Sequence, residues 1–598
     1  IGDYSRIDEI CCQVTTVVAG PAAGAIQLLG GQFSTDRYSY DAYLNQVPIN
    51  KVDNYGGSIQ VDYQAGALSF TSISSYRELK NLFISDIDYS SLDVANETRN
   101  QRVKTLTQEF RVASDFDGPL NFLLGGYYFD ESISQKSQIE NGAQIRDFFE
   151  LLAGNPSVFN AVEAGLGLPQ ESIFLTPLLT SEQFSMDNTS YSIFGTVDFE
   201  PVDGLVFTGG FNYTDDKKDF ALAQQSFDPL GQINLIDAFI VGATGGTVAT
   251  RAQFQALPAA NQEALLAAAQ SAANPLFGLS AFQFQPPFVT IPNAVEDGKT
   301  RDDKFTYLLR ASYAISNEVN VYGSYATGFK ASSVNLSRDS RPSSADFVAG
   351  PGGSTFAAPS SPILDGGLAV PNLRSGSRFA GPENATVYEI GVKGQWEGFG
   401  FNLALFDQTI KGFQSLAFTG TGFALQNAGQ QSVKGFEFDS TIKPTDGLVF
   451  TFAMTYLDPL YDSFTGSVLG DLSGLTPGGI PEFAISTSAT YSHEFGGSGN
   501  MLITRIDYSH ESNTPINNGL PTFNADLGNT QIFDREVNLV NGSMTLKLEN
   551  GLEVGGYVRN LLNDQFLTTV FDGVAQAGTV LGYPSAPRTY GAVVRFKF

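Results

Sequence analysis

The last residues of the chain, RTYGAVVRFKF at 588–598, carry the pattern that decides the fold. Arg595 and Lys597 alternate there with apolar residues. The apolar positions are Tyr590, Ala592, Val594, Phe596 and Phe598. Successive side chains of a β-strand point to opposite faces, so this alternation predicts a strand with one apolar face and one polar face.

The same alternation recurs along the chain, for example at 304–316, 385–396 and 540–548. Neighbouring segments are joined by short turns, such as Pro-Thr-Asp-Gly at 444–447 and Asn-Gly at 550–551, whose residues favour tight hairpins. The connections between one hairpin and the next are long loops, which include 11–54, 137–187, 223–303 and 336–384.

About 18 alternating segments can be counted, from 1–10 to 588–598. Short turns at one end and long loops at the other are typical of an outer-membrane barrel. A closed barrel also explains how so many aromatic side chains avoid aggregation, because their face meets lipid and no strand edge stays open. We therefore predict an all-β fold, a transmembrane antiparallel β-barrel with short periplasmic turns and long extracellular loops.

Composition limits the alternatives. Charged residues make up 16% of the 598 residues, against about 25% in soluble globular proteins. No apolar run reaches the roughly 18 residues that a transmembrane helix needs. A net charge of -28 excludes a general nucleic-acid binder, which needs a basic surface. A soluble propeller or a string of sandwiches is the other all-β interpretation, but segments of about 12–16 residues are long for its strands.

The sequence indicates no enzyme. Its two histidines, His493 and His510, stand near the ends of neighbouring segments, and a serine and an aspartate close by in sequence do not make a catalytic triad. We predict no catalytic site, no cofactor and no metal site. Cys11 and Cys12 are adjacent, which predicts either a vicinal disulfide in the first outer loop or pairing with a cysteine outside this sequence.

Charged residues on the polar side of the alternation are predicted to face the barrel lumen. They are Glu109, Arg111, Arg310, Glu389, Lys393, Glu437, Asp439 and Arg559. Charges of both signs suit an interface with a plug inside the barrel better than the single-sign ring of an ion-selective pore.

Ligand capture is expected on the outer loops. Aromatic side chains recur there, and the candidate ligand contacts are Phe148, Phe227, Phe284 and Phe347. Packing between loops is the alternative for each ring. Residues 145–152 and 251–273 are rich in helix formers and predict helices that pack over the barrel mouth, the alternative being a partner-binding role.

Several segments resemble the TonB-dependent receptor family of Gram-negative outer membranes. In chain order they include TQEFRVAS at 107–114, YGSYATGFK at 322–330, RNLLND at 559–564 and PRTYG at 587–591. Their order and spacing carry the resemblance. The opening residues and the alanine-rich loops are similar to the alphaproteobacterial, sphingomonad-like branch of that family.

The resemblance implies an outer-membrane active transporter that takes up a scarce nutrient, such as a siderophore–metal chelate or a saccharide. Ligand capture by the loops would be followed by rearrangement of a plug, driven by the TonB-ExbB-ExbD energy-transducing complex. It also implies outer-membrane lipid and the barrel assembly machinery as partners, with Phe598 as the terminal residue read by that machinery. Other envelope proteins stay open as partners, and nucleic acid is not implied.

The resemblance implies a barrel of about 22 strands with a plug inside its lumen. This sequence begins within a strand and shows neither a plug nor a TonB box, so we expect it to be the barrel of a longer protein. Two alternatives stay open: a plugless diffusion porin of about 18 strands, and a structural or surface-binding barrel.

Overall fold

The structure of the chain is a computed structural model, and it describes most of the 598 residues. Its strands are numbered here in chain order. Outside the description lie residues 11–13, 176, 231–232, 234, 270, 272–275, 277–278, 280–281, 283–297, 336–346, 350–354, 358–378, 419–422, 466, 468, 498, 521–532, 575, 577 and 598. The strands are β1 (Gly2–Glu9), β2 (Thr15–Val18), β3 (Ile49–Ala65), β4 (Leu68–Asp86), β5 (Ala95–Ser114), β6 (Leu120–Asn141), β7 (Leu178–Val202), β8 (Leu205–Ser226), β9 (Lys299–Ala314), β10 (Val319–Lys330), β11 (Ser333–Val334), β12 (Phe347–Ala349), β13 (Thr355–Ala357), β14 (Phe379–Ala380), β15 (Glu383–Gln395), β16 (Phe399–Lys411), β17 (Gln414–Phe418), β18 (Phe423–Asn427), β19 (Gln430–Thr445), β20 (Leu448–Ser463), β21 (Phe483–Phe495), β22 (Asn500–Pro515), β23 (Asp534–Lys547), β24 (Leu552–Arg559), β25 (Leu567–Asp572), β26 (Val580–Pro584) and β27 (Thr589–Phe596).

Eighteen of these strands form one antiparallel sheet. Its ladders begin with β1 against β3, pass through the long strands in chain order, and end with β24 against β27. The shorter strands form small sheets beside it, among them β17–β18 and β2–β26–β25. The predicted all-β class and large antiparallel barrel sheet are confirmed. In the described part of the chain, no ladder joins β27 to β1.

Glycines at the short turns permit the hairpins to close. Gly551 has φ +85° and Gly447 has φ +81°, in the left-handed region that other residues rarely adopt. A Cβ at Gly551 would also collide with the backbone carbonyl oxygen of Lys597. These tight turns set the register of the strands that they join.

Several strands run well past the ends that alternation predicts. β7 has 25 residues, whereas about 9–11 residues cross a bilayer. Together β6 and β7 extend into the region predicted as the loop 137–187. Beyond the membrane, a ladder needs backbone hydrogen bonds but no lipid-facing apolar residues, so the alternation ends before the strand does.

Helices occur in the outer loops. They are α1 (Pro21–Leu28), α2 (Ile145–Leu152), α3 (Val158–Leu166), α4 (Leu235–Ala243), α5 (Arg251–Gln255) and α6 (Ala259–Ala269). The helix expected at 145–152 is present, and the stretch 251–273 contains two helices with Pro258 between them. A proline has no backbone N–H to continue a helix, which accounts for the break. None of the described helices is long and apolar enough to cross a membrane.

The largest hydrophobic core among the described residues belongs to the outer loops. It brings α1, α2 and α3 together, and the Phe174 ring contacts the rings of both Phe149 and Phe159. The outer loops therefore fold around a hydrophobic core of their own at the outer end of the sheet.

Candidate functional site

The two faces of the large sheet differ in chemistry. One face bears tyrosines that meet between neighbouring strands: the ring centres of Tyr128 and Tyr191 lie 5.1 Å apart and those of Tyr325 and Tyr388 lie 4.9 Å apart. Elsewhere this face is aliphatic and open: Leu309, which pairs with Tyr325 and lies between Tyr307 and Tyr313 along β9, is 58% exposed. An exposed apolar band edged by aromatic rings is the surface that meets lipid. The opposite face lines the lumen.

The register places all eight predicted charged residues on the lumen face. Paired residues share a face, and each of the eight lies next along its strand to a lipid-facing residue, as Arg310 does to Leu309 and Glu109 to Phe110. The set is Glu109, Arg111, Arg310, Glu389, Lys393, Glu437, Asp439 and Arg559. Arg111 Nε lies 3.0 Å from Glu109 Oε1 in an ion pair within one strand.

One lumen cluster forms where β9, β10 and β15 are neighbours. Arg310, Tyr322, Glu389 and Lys393 line a cavity of about 310 Å³ there. The Tyr322 hydroxyl donates a hydrogen bond of 2.8 Å to Glu389 Oε1, and Lys393 Nζ lies 5.5 Å from the centre of the Tyr322 ring. Tyr322 was not predicted as a lumen residue, although it shares the polar side of the alternation with Ser324.

A second lumen cluster lies on β22, β23, β24 and β27 around a cavity of about 520 Å³. Arg505 Nε donates to Asp507 Oδ1 over 2.8 Å, and the guanidinium of Arg559 lies 5.3 Å from the centre of the Tyr557 ring. Of these residues the sequence predicted Arg559 alone. Arg505 and Asp507 are two residues apart on one strand, and this spacing could have added them to the predicted lumen-facing charged residues.

A third cavity, of about 570 Å³, opens at the outer mouth of the lumen. One wall is the lumen face of β4, β5 and β6. The other wall is built from the end of β10, from β11 and from the hairpin β17–β18. The lining consists of amides, a hydroxyl, aliphatic side chains and two cations: Asn81, Arg99, Gln101, Gln135, Lys330, Ser333, Val334, Asn335, Gln414, Leu416 and Leu425.

Gln414 fixes the hairpin wall of this mouth cavity. Its Nε2 donates to the carbonyl oxygens of Ala331 at 3.0 Å and Gly381 at 2.9 Å, and its backbone N–H donates to Glu383 Oε1 at 2.8 Å. Asn335 Nδ2 donates to the carbonyl of Phe423 at 3.1 Å. The hairpin is thus tied to the barrel wall by buried and half-buried hydrogen bonds.

The two cations of the mouth cavity differ in their partners. Lys330 Nζ lies 3.3 Å from Glu383 Oε1. The guanidinium of Arg99 lies 5.0 Å from the centre of the Phe83 ring, and no carboxylate of the described residues forms an ion pair with it. Arg99 is therefore placed to bind an anionic group that enters the cavity. Neither Arg99 nor the amide wall was predicted, because no local pattern links β5 to a hairpin more than 300 residues away.

The loop phenylalanines take different places. Phe148 is 2% exposed in the loop core, where its ring centre lies 5.3 Å from that of Phe149. Such burial leaves no face of the Phe148 ring for a ligand and favours loop packing, the alternative given above. Phe227 is half-buried, and its backbone N–H donates to the carbonyl of Leu179 at 2.9 Å. Phe347 lies in β12, and its side chain is outside the description.

Four predicted residues lie outside the described residues altogether: Cys11, Cys12, Phe284 and Phe598. The vicinal disulfide and the terminal assembly residue therefore stay predictions.

Two carboxyl groups are buried together above the membrane, at the outer end of β4. Asp86 Oδ1 accepts the backbone N–H of Tyr89 at 2.9 Å, and Asp88 Oδ2 accepts that of Ala95 at 3.0 Å. Burial raises the pKa of Asp86 to about 8, and the neighbouring charge of Asp88 adds to this rise. Burial also raises the pKa of Asp88, to about 6. The pair therefore favours a protonated state near neutral pH.

We expect the loop 87–94 to open more readily as the pH rises. A carboxyl whose pKa is raised on folding stabilises the closed loop fully when the pH is below its unfolded pKa of about 3.9. As the pH rises from there to the folded pKa of about 8, this stabilisation is progressively lost. This opening is measured by hydrogen exchange at the backbone amides of Tyr89 and Ala95, with the rates corrected for the intrinsic effect of pH on exchange. Asp86→Asn should flatten the profile, and wild-type protection that is constant across this range would contradict the expectation.

The histidines do not form a catalytic site with their sequence neighbours. His510 pairs with Ile485 on the lipid side of the sheet, whereas Asp507 and Ser509 face the lumen. His493 pairs with Leu502, near the other end of the same two strands. Among the described residues there is no group of three or more His, Cys, Asp or Glu side chains placed to hold a metal ion.

The barrel sheet and its polar lumen match a known family. The family described as "TonB dependent receptor-like, beta-barrel" matches residues 18–561, and the chain belongs to it. Its barrels lie in the outer membrane of Gram-negative cells, so the predicted family and location are confirmed. A comparison with curated proteins gives no match.

Solved receptors share the fold. The ferric yersiniabactin uptake receptor FyuA from Yersinia pestis has a TM-score of 0.59 at 14% identity, over 92% of this chain and 62% of its own. The siderophore receptor PiuA from Acinetobacter baumannii has 0.60 at 13%, over 100% and 71%. The ferripyoverdine receptor of Pseudomonas aeruginosa, bound to ferripyoverdine, has 0.58 at 12%, over 100% and 62%. This chain spans less than two thirds of the length of the first and third receptors.

Proposed function

We propose that this barrel is a TonB-dependent active transporter, which captures a scarce nutrient at its outer mouth and admits it past a plug. The observation that carries the proposal is the mixed-sign polar wall of the lumen. Arg310, Lys393 and Arg559 have no ion pair with a carboxylate of the described residues, while Glu389 and Asp439 face the same space. Such a wall can hydrogen-bond a folded plug, whereas an ion-selective pore favours a ring of one sign.

The proposal includes transport without chemical conversion. Receptors and transporters make up the family. Energy would come from the TonB-ExbB-ExbD complex, which rearranges the plug and so releases a tightly bound ligand inward. Membership of the family supports this partner, as it supports assembly by the barrel assembly machinery.

The mouth cavity is the proposed place of capture. Its volume of about 570 Å³ falls within the range of about 300–1,000 Å³ that small-molecule sites occupy. Its amides and Arg99 suit a ligand rich in oxygen acceptors with an anionic group. Similar folds include receptors for ferric yersiniabactin and ferripyoverdine, which makes a ferric chelate the class to test first.

The test uses the protein extracted from its native outer membrane, and it separates the three candidate functions without a known ligand. A transporter is expected to be closed in planar-bilayer conductance measurements and to bind the periplasmic domain of TonB in solution. A steady open channel that binds no TonB would indicate a diffusion porin. A closed barrel that binds no TonB would indicate a structural or surface-binding barrel.

A further inference from the structure

A cleft of about 590 Å³ lies at the outer end of strands β3–β7, and most of its lining belongs to the lipid side of the sheet. Four cationic residues line it: Lys51, Lys80, Arg102 and Lys136. In the ladders Lys80 pairs with Arg102, and four positions further down β4 the lipid-facing Tyr76 pairs with Leu106. Four residues rise about 13 Å along a strand, or about 9 Å across a membrane at the usual tilt. The cleft thus begins where the apolar band ends, at the level of the lipid headgroups.

The cations of this cleft are held in place by their neighbours. Glu78 is 4% exposed between Lys80 and Arg102, and Arg102 Nε donates to Glu78 Oε1 at 2.7 Å. Lys80 Nζ lies 3.5 Å from the same oxygen and 5.5 Å from the centre of the Tyr55 ring. About half of each of these two cationic side chains stays exposed. They are therefore oriented and still open to a ligand.

The cleft is cationic in a strongly acidic chain. The whole chain has 62 acidic and 34 basic residues. On the lipid side of this corner, Lys104 adds a further cation to the four that line the cleft, and it pairs in the ladder with Glu78. The acidic residues on this face near the cleft are Asp53, which lines it, Glu78, and Asp8, whose Oδ2 lies 3.5 Å from Lys51 Nζ. Asp130 and Asp187 follow further down β6 and β7 on the same face. Among the residues that line the cleft, four cations face the single carboxylate of Asp53, so the lining itself is cationic.

We propose that this cleft binds the anionic headgroup of an outer-leaflet lipid. The position of the cleft argues for a lipid over a free anion, because the exposed rings and aliphatic chains directly below it can hold acyl chains. The cationic side chains point away from the lumen, so they serve a membrane component and not the transported nutrient. The proposal holds whether or not the barrel is a transporter.

The experiment measures binding of diphosphoryl lipid A, the probe, to the full-length protein in non-ionic detergent by native mass spectrometry. The variant K80Q/K136Q removes two cations of the cleft. Each charge near an anionic lipid surface contributes a factor of about five, so we expect binding about 25-fold weaker. The matched control K299Q/K434Q removes two lipid-side cations of β9 and β19, outside the cleft, whose side chains are 64% and 69% exposed. It should change binding less than about two-fold.

Further arms identify the source of the anion. Lipid A without phosphates should bind weakly, and excess inorganic phosphate should not displace the diphosphoryl form. The proposal would be overturned if the cleft variant bound diphosphoryl lipid A as tightly as the wild type does. It would also be overturned if the phosphate-free lipid bound as tightly as the diphosphoryl form, or if inorganic phosphate displaced that form. Heat-dependent mobility on SDS gels checks that every variant is a folded barrel. If the double variant does not fold, K136Q alone should weaken binding about five-fold.

Discussion

Arg146→Met is expected to unfold the outer loop that contains α2 and α3 while the barrel stays folded. Arg146 Nη1 donates to Glu163 Oε1 at 2.8 Å and to the carbonyl of Ile173 at 2.9 Å, and its Nη2 donates to Asn160 Oδ1 at 2.9 Å. Glu163 is 0% exposed, so the substitution leaves a buried carboxylate without its counter-charge. Breaking one partner of a buried ion pair costs about 3–5 kcal/mol, which is enough to open a loop of this size.

Chymotrypsin cleavage of the protein in outer-membrane vesicles measures this opening, because Phe148, Phe149 and Phe159 are shielded in the folded loop. The single variant should be cut there at least tenfold faster than the wild type. The matched control is the double variant Arg146→Met, Glu163→Gln, which removes both charges and keeps an amide oxygen that can accept one of the backbone N–H groups of Glu171 and Ile173, so it should recover part of the protection. Cleavage of the single variant at the wild-type rate would show that the pair does not hold the loop.

The second large effect concerns neighbouring leucines on opposite faces of β9. Leu309 lies in the lipid-facing band and is 58% exposed, whereas Leu308 lines the lumen cavity beside Arg310. An arginine on the lipid face near the membrane midplane costs about 2–4 kcal/mol. We therefore expect Leu309→Arg to lower the free energy of unfolding by that amount, and Leu308→Arg to change it little.

Urea titration of the refolded barrel in lipid vesicles, followed by gel mobility, gives both free energies. The two substitutions are chemically identical and one residue apart, so local strand propensity cancels in the comparison. A similar loss for both variants would mean that the face assignment of β9 is wrong, and with it the lumen placement of Arg310.

Alternation alone predicted the barrel and the faces of its strands, because a period of two residues places Arg310 and Leu309 on opposite sides wherever the strand crosses lipid. Turn residues such as Gly551 then set the register. The sequence did not predict how far β7 extends above the membrane, since a ladder in water needs no apolar alternation.

The candidate site was less predictable than the barrel. Whether a loop ring such as Phe148 is buried depends on tertiary packing, which the identity of the residue does not reveal. The mouth cavity joins Arg99 to Gln414 across the lumen, and contacts so distant in sequence follow no periodic rule. Tyr322 could have been predicted as a lumen residue, because it follows the same alternation as the charged residues that were predicted.

The height of β7 has an electrostatic consequence. Its 25 residues exceed the roughly 10 that cross the bilayer, and at the usual strand tilt the excess raises the loops by about 30 Å. The Debye length at physiological ionic strength is about 8 Å, so the electrostatic potential of the membrane surface has decayed about 40-fold at that distance. A negatively charged nutrient can therefore reach the top of the barrel before it comes within range of the charge on the membrane surface.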